Sequence, residues 1–234
     1  MPFSLLEPSA AATHLLAGFT LANLLAAGTV CLVRNDSTPE PQPAPVRVLA
    51  FGDSLIAGFG LPEAATPPAR LEKRLAAANL ACRVINAGVP GDTSAGGLAR
   101  LEQTLAATGP DVVILELGVN DNLQGWPPEQ TEANLDAMLT LLARRGICTL
   151  LAGVRPLRDL GESTNLRFQA IFPRLAARHG TPIYPDFLAG VAGNPRLLLR
   201  DGLHPNGKGA KEIVGRITPL VTDLIHHHLR SGRT

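Results

Sequence analysis

From Val46 onward, short apolar runs alternate strictly with longer amphipathic segments, and this alternation constrains the fold more than any other feature of the chain. Val46 to Phe51 reads as a buried strand. A helix is predicted near Pro68 to Ala78, a strand at Arg83 to Asn86 and a helix from Ser94 to Ala107. The pattern continues with a strand at Asp111 to Leu117, a helix at Glu129 to Arg144, a strand at Cys148 to Ala152 and a helix at Asn165 to Arg178. A short strand at Ile183 to Tyr184 and a closing helix from Gly207 to Leu229 complete it. Strand and helix in turn imply a parallel sheet with helices on both faces. In such sheets ligands bind beyond the carboxyl ends of the strands, so the loops at that edge are where chemistry is expected.

Two of those loops carry groups that need each other. Gly52-Asp53-Ser54-Leu55 leaves the first strand and presents Ser54 at the reactive edge. A serine hydroxyl is a poor nucleophile until a base takes its proton, and a turn serine that merely caps a helix would look the same. Asp201-Gly202-Leu203-His204-Pro205 precedes the final helix and returns to the same edge. A carboxylate that accepts the imidazole Nδ1 proton leaves Nε2 free for Ser54, although His204 taken alone fits an ordinary loop histidine. The order Ser, Asp, His along the chain is consistent with an α/β hydrolytic site.

Attack on a carbonyl creates an oxyanion, which needs donors. Asn86 to Thr93 follows the second strand, and there Gly91 has no side chain to block its N–H. Gly118-Val119-Asn120-Asp121 follows the third, where the Asn120 amide can point into the same pocket. With the backbone N–H of Ser54 these make three donors. Gly91 serving only a tight turn, and Asn120 bonding only loop backbone, are the structural alternatives.

Taken in chain order, the blocks around Ser54, Gly91, Gly118 to Asp121 and Asp201 to His204 resemble the SGNH (GDSL) hydrolases. The segments Gly91 to Ser94, Gly97 to Leu101, Leu115 to Gly118 and Asp201 to Asn206 are similar to the bacterial arylesterase, acyl-CoA thioesterase and lysophospholipase subgroup. The resemblance implies an α/β, flavodoxin-like three-layer sandwich with a central parallel sheet of about five strands. It also implies a triad of Ser54, Asp201 and His204 and an oxyanion hole of Ser54, Gly91 and Asn120. The expected activity is hydrolysis of a small-molecule acyl ester or thioester through an acyl-enzyme. A carbohydrate O-acetylesterase is the rival enzyme, since one site of this kind can serve both. A membrane-tethered binding module that has lost catalysis is the rival outside enzymology. The loop Val154 to Asn165 departs from the subgroup, which leaves the acyl-chain preference open.

Among neighbouring residues, Asp53 is expected to hold its turn by bonding backbone N–H groups, Glu116 to be a hydrogen-bonded structural carboxylate, and Asp121 to prop up the Asn120 loop. Leu123, Trp126, Pro156 and Leu157 stand after the third and fourth strands and are candidates to line an acyl groove, or simply to pack the loops.

Composition narrows the remaining classes. Basic and acidic residues nearly balance, 21 against 20, and aromatics are 4%, so neither the basic stripe nor the stacking platform of a nucleic-acid binder is present. No G-K-[ST] appears, nor a G-x-G-x-x-G after a strand, which argues against a phosphate loop. Cys31, Cys82 and Cys148 lack zinc spacing and read as buried thiols. His226, His227 and His228 are consecutive, so on a helix they point about 100° apart and read as a solvated helix end. No metal and no organic cofactor is expected.

Ahead of the domain, Leu15 to Val33 is an uncharged apolar run about one bilayer long, a span needing ~20 residues. No Lys or Arg precedes it, so the basic start of a secretory signal is missing. We read residues 1–34 as an uncleaved membrane anchor, with an atypical signal segment as the alternative and a packed apolar helix after that. Val30 directly before Cys31 does not suit lipoprotein processing. Residues 35–45 carry four prolines and form a spacer. The catalytic domain is expected over residues 46–230, with a tail at 231–234. The expected location is the cell envelope, membrane-anchored or periplasmic or secreted, with membrane association through residues 15–33.

Overall fold

The computed structural model describes residues 44–232. The expected anchor, nearly all of the proline spacer, Cys31 and the last two residues lie outside them. Five parallel strands form one sheet: β1 (Val46–Gly52), β2 (Cys82–Gly88), β3 (Val112–Glu116), β4 (Cys148–Ala152) and β5 (Ile183–Tyr184). Their order is β2-β1-β3-β4-β5, with Val48 opposite both Val84 and Val112, and Val113 opposite Thr149. The chain starts in the middle, winds to one edge and returns past β1 to the other.

The helices lie in two layers. On one face α2 (Pro67–Ala77) packs against α7 (Gly207–Ser231). On the other, α3 (Ser94–Thr108), α5 (Pro128–Arg144) and α6 (Glu162–His179) pack side by side. A sheet covered on both faces has no solvent side, which is why β1, β3 and β4 are nearly continuous apolar runs. Leu49, Phe51, Val113, Leu115, Leu150 and Leu151 have no exposed surface. Truncating one of these to Ala would cost about 2–5 kcal/mol through lost burial and the cavity left behind.

Local chemistry sets the helix ends. α2 and α5 open with Pro, which has no N–H to lose in a first turn. The Thr93 hydroxyl caps α3 by accepting the Gly96 N–H at 3.2 Å, and the Asn206 side chain caps α7 by accepting from Lys208 and Gly209 at 2.9 and 3.1 Å.

Two short helices are additions to the sequence reading: α1 (Ser54–Ala57) and α4 (Val119–Gln124). Neither is long enough to show a 3.6-residue period, yet they carry Ser54 and Asn120. α6 also begins three residues earlier than expected, at Glu162. Cys82 and Cys148 are half-buried free thiols rather than buried ones, because both stand at strand starts near the surface; burial still pushes both thiols up. Among the described residues no helix is long and apolar enough to cross a membrane, and no cluster of side chains could hold a metal.

Candidate active site

β1 delivers Ser54, the candidate nucleophile. It ends at Gly52, and Asp53 turns the chain by accepting the Leu55 N–H on Oδ1 at 2.9 Å, so Ser54 opens α1 with 8% of its surface exposed. Gly52 is a glycine because of a close approach: a Cβ there would overlap the Glu116 carbonyl and Ile56, and would stand 2.8 Å from Glu116 Oε2. The strands on either side of β1 deliver the oxyanion candidates, Gly91 after β2 and Asn120 after β3. Gly91 lines the cleft with φ of +80°, and a Cβ there would touch nothing within 4 Å. Backbone conformation, rather than the need for an unobstructed N–H, therefore makes it glycine.

The loop between β5 and α7 brings His204, the candidate base. It is pinned by Leu199 N–H to the His204 carbonyl at 2.7 Å, and by Asn206 Nδ2 to the Arg196 and Leu198 carbonyls at 3.0 Å each. His204 Nε2 lies 3.0 Å from Ser54 Oγ, and His204 Nδ1 lies 2.8 Å from Asp201 Oδ2. Asp201 Oδ1 accepts the Leu203 and His204 backbone N–H groups at 2.9 and 3.0 Å. The His204 and Leu203 backbone donors, with the His204 ring, hold the Asp201 carboxyl down to about 2.

Behind these residues runs a buried polar frame. Asn120 Nδ2 donates to the Asp92 carbonyl at 2.8 Å and to Asp53 Oδ2 at 3.1 Å. Asp121 accepts from the Ser94 N–H and hydroxyl and from Thr131, which locks α4 to the start of α3 and to α5. Asp53 thus does hold its turn, and Asp121 does prop up the Asn120 loop. Glu116 differs from expectation: it ends β3 with no exposed surface, and among the described residues no donor meets either oxygen in full hydrogen-bond geometry, the groups it faces being the backbone N–H and carboxyl of Asp53. Burial pushes Glu116 well above the usual carboxylate range and Asp53 up to about 7.

The cleft over the serine has a volume of about 180 Å³. Leu123 and Leu157 line it; Trp126 and Pro156, both half-buried, do not. A larger cavity of about 560 Å³ lies between α5, α6 and α7 at the start of β4, away from the serine and histidine.

Three residues of the site carried no local signal that the sequence reading used. Phe59 stacks on His204, ring centroids 4.6 Å apart. Asn122, 1% exposed, accepts the Leu157 and Arg158 N–H groups at 2.7 and 2.8 Å and fastens that loop to α4. Arg100 lies over the Phe51 ring and bonds Asp92, the Ala87 carbonyl and the Gly52 carbonyl, joining the ends of β1 and β2 to the Gly91 loop. Only Phe59, an aromatic just past the one-turn helix, offered a hint.

The model of the GDSL-like lipase/acylhydrolase family matches residues 50–212. The chain belongs to that family. Within the family it is similar to esterase TesA of Pseudomonas aeruginosa, 36% identical over 79% of this chain and 92% of that one. It is also similar to thioesterase 1/protease 1/lysophospholipase L1 of Escherichia coli K12, 35% identical over 77% of this chain and 85% of the other. The crystal structure of AlinE4, an SGNH-hydrolase family esterase, superposes with a TM-score of 0.66 at 39% identity, over 78% of this chain and 98% of AlinE4. The five-stranded parallel α/β sandwich is therefore the SGNH hydrolase fold, and this GDSL-family chain is an ester-hydrolysing enzyme.

Proposed function

We propose that the protein is a serine esterase acting on carboxylic esters or thioesters, with Ser54 as nucleophile, His204 as general base and acid, and Asp201 orienting His204. The observation that carries this reading is the unbroken pair of contacts, 3.0 Å from Ser54 Oγ to His204 Nε2 and 2.8 Å from His204 Nδ1 to Asp201 Oδ2, at the mouth of a cleft.

Ser54 Oγ attacks the acyl carbon as its proton passes to His204 Nε2, and the carbonyl electron pair moves onto oxygen. The backbone N–H groups of Ser54 and Gly91 and the Asn120 amide receive that oxyanion. Its collapse breaks the bond to the alcohol or thiol, which leaves with the proton from His204, and the acyl group stays on Ser54. Water, deprotonated by His204, attacks this ester; the carboxylic acid departs and Ser54 recovers its proton. The cycle balances with protein side chains and water alone.

Phe59, Leu123 and Leu157 give the cleft an apolar wall, which favours an acyl chain over a bare acetyl group. The names of the relatives, esterase and thioesterase/lysophospholipase, point the same way for this chain. The apolar segment 15–33 of the sequence supports a place in the cell envelope, anchored in a membrane or exported across it.

The test is hydrolysis of p-nitrophenyl esters from acetyl to palmitoyl, palmitoyl-CoA and a lysophospholipid, with Ser54→Ala as control. We expect medium or long chains to be preferred and Ser54→Ala to lose about 10⁴-fold or more. A Ser54→Ala enzyme near the wild-type rate sinks the mechanism, and activity confined to acetyl esters moves the substrate to an O-acetylated carbohydrate.

A further inference from the structure

Asp53 and Glu116 stand behind the nucleophile as two carboxyl groups with no exposed surface. Their surroundings are unlike. Asp53 accepts the Leu55 N–H on Oδ1 and Asn120 Nδ2 on Oδ2. Among the described residues no donor meets either Glu116 oxygen in full hydrogen-bond geometry, and the polar groups it faces are the backbone N–H and the carboxyl of Asp53. Two buried carboxylates in contact repel, so one of them keeps a proton. The donors decide which. Asp53 gathers the better-formed ones, from Leu55 and Asn120, and carries the charge; Glu116 faces only the Asp53 backbone N–H and keeps the proton, which it directs at the Asp53 carboxyl.

Other charges around the pair reinforce this. Asp92, from the loop before α3, and Asp121, from α4, both add negative potential at Asp53. The nearby cation, Arg100, is spent on Asp92 and on the Ala87 and Gly52 carbonyls. Among the described residues no cation pairs with Asp121, which is held by Ser94 and Thr131. A second full charge on the pair would therefore have no counter-ion.

The same geometry bears on Asn120. Both hydrogens on Nδ2 already have acceptors, the Asp92 carbonyl at 2.8 Å and Asp53 Oδ2 at 3.1 Å. To serve an oxyanion, the amide must give up one of them, and the longer bond to Asp53 is the one to yield. A buried carboxylate stripped of a donor is costly unless another donor remains. We propose that Glu116 is a positioning residue for ester hydrolysis: its carboxylic acid donates to Asp53, so that Asp53 stays hydrogen-bonded when Asn120 turns an N–H to the oxyanion. The inference rests on the oxyanion role of Asn120 proposed above.

Three enzymes and one spectrum test it. Asn120→Ala should lower kcat about 100-fold, the scale of one oxyanion donor. Glu116→Met, which keeps the volume and removes the donor, should lower kcat about tenfold or more with KM little changed. Glu116→Gln, whose carboxamide can still donate to Asp53, should return kcat to within about threefold of wild type. In the infrared spectrum of the full-length wild-type protein at neutral pH, a protonated carboxylic acid band should shift when glutamate alone is ¹³C-labelled. An unchanged kcat in Asn120→Ala overturns the oxyanion role and the inference with it. A slowed Asn120→Ala beside a full-rate Glu116→Met overturns the inference and leaves the esterase reading standing. Absence of a glutamate-sensitive acid band overturns the inference whatever the variants do, including a Glu116→Met that fails to fold.

Discussion

The Phe59 ring rests on the His204 imidazole with centroids 4.6 Å apart and planes tilted by 40°, while about half of the Phe59 surface faces solvent. His204 is therefore steered from two sides, by Asp201 at its Nδ1 edge and by an aromatic face. Such a ring contact contributes about 0.5–1.5 kcal/mol, so Phe59→Ala should lower kcat/KM by about 2- to 12-fold with Ser54 still reactive toward a fluorophosphonate. Steady-state rates on one p-nitrophenyl ester, with labelling of the same samples, check this.

Asp201 keeps its charge across the working range because its carboxyl is held down to about 2. Loss of activity between about pH 8 and pH 4 therefore does not come from protonation of Asp201. Asp201→Asn should lower kcat about 10³- to 10⁴-fold by presenting the wrong imidazole tautomer to Ser54. An acid limb near the ordinary carboxylate value of about 4 in the wild-type pH-rate profile that disappears in Asp201→Asn would contradict the assignment.

The pair behind the nucleophile makes the opposite statement about stability. Asp53 rises from 3.8 to about 7 on folding, so the folded state holds more protons than the unfolded chain between those values. The stability it contributes is present below the unfolded value and is lost as pH rises through about 7. Glu116, also raised well above the usual carboxylate range by burial, adds a loss of the same sign. Glu116→Gln removes one of the two titrations, and thermal melts between about pH 5 and pH 9 should show a shallower fall in Tm than wild type. Parallel curves would count against this reading.

Asn122 should separate binding from chemistry. It makes three hydrogen bonds to the loop that carries Leu157, through the Leu157 and Arg158 N–H groups and the Arg158 carbonyl. Asn122→Ala should cost about 2–3 kcal/mol of stability and free one wall of the cleft. We expect KM to rise for octanoyl and longer esters while kcat on acetyl esters changes little. A uniform loss across chain lengths would show that the loop serves the chemistry instead.

Two glycines should fail in different ways. Gly52→Ala drives a methyl into the Glu116 carbonyl and Ile56, so little folded protein is expected. Gly91→Ala meets no neighbour and costs only the backbone strain of φ +80°, about 1–2 kcal/mol. It should fold, melt a few degrees lower and hydrolyse esters more slowly as its N–H shifts. Yields and melting curves of the two variants side by side distinguish these outcomes.

The sequence made the architecture legible because a sheet covered on both faces writes itself as apolar runs, and Val112 to Leu115 or Cys148 to Leu151 can be little else. Ser54, Asp201 and His204 were legible because each sits in a compact word beside a strand end or helix start. The rest depends on contacts between distant segments. Arg100 meets the Gly52 carbonyl across 48 residues, and Asn122 meets Leu157 across 35, so no local pattern announces either. Trp126 and Pro156 stood on the right loops, but which way a loop side chain turns is settled by what packs beneath it. Glu116 looked like an ordinary satisfied carboxylate, since nothing in an apolar strand says which groups will be missing around it.

The distance along the chain between Ser54 and His204 also fixes when activity can begin. During synthesis β1 and its serine emerge early, with β2 and β3 and their oxyanion donors soon after. The base arrives only with the loop before α7, and that loop is tied down through Asn206, the cap of α7 itself. Under the proposed mechanism a nascent chain therefore displays Ser54 about 150 residues before His204 can reach it, and hydrolysis begins only once α7 folds against α2.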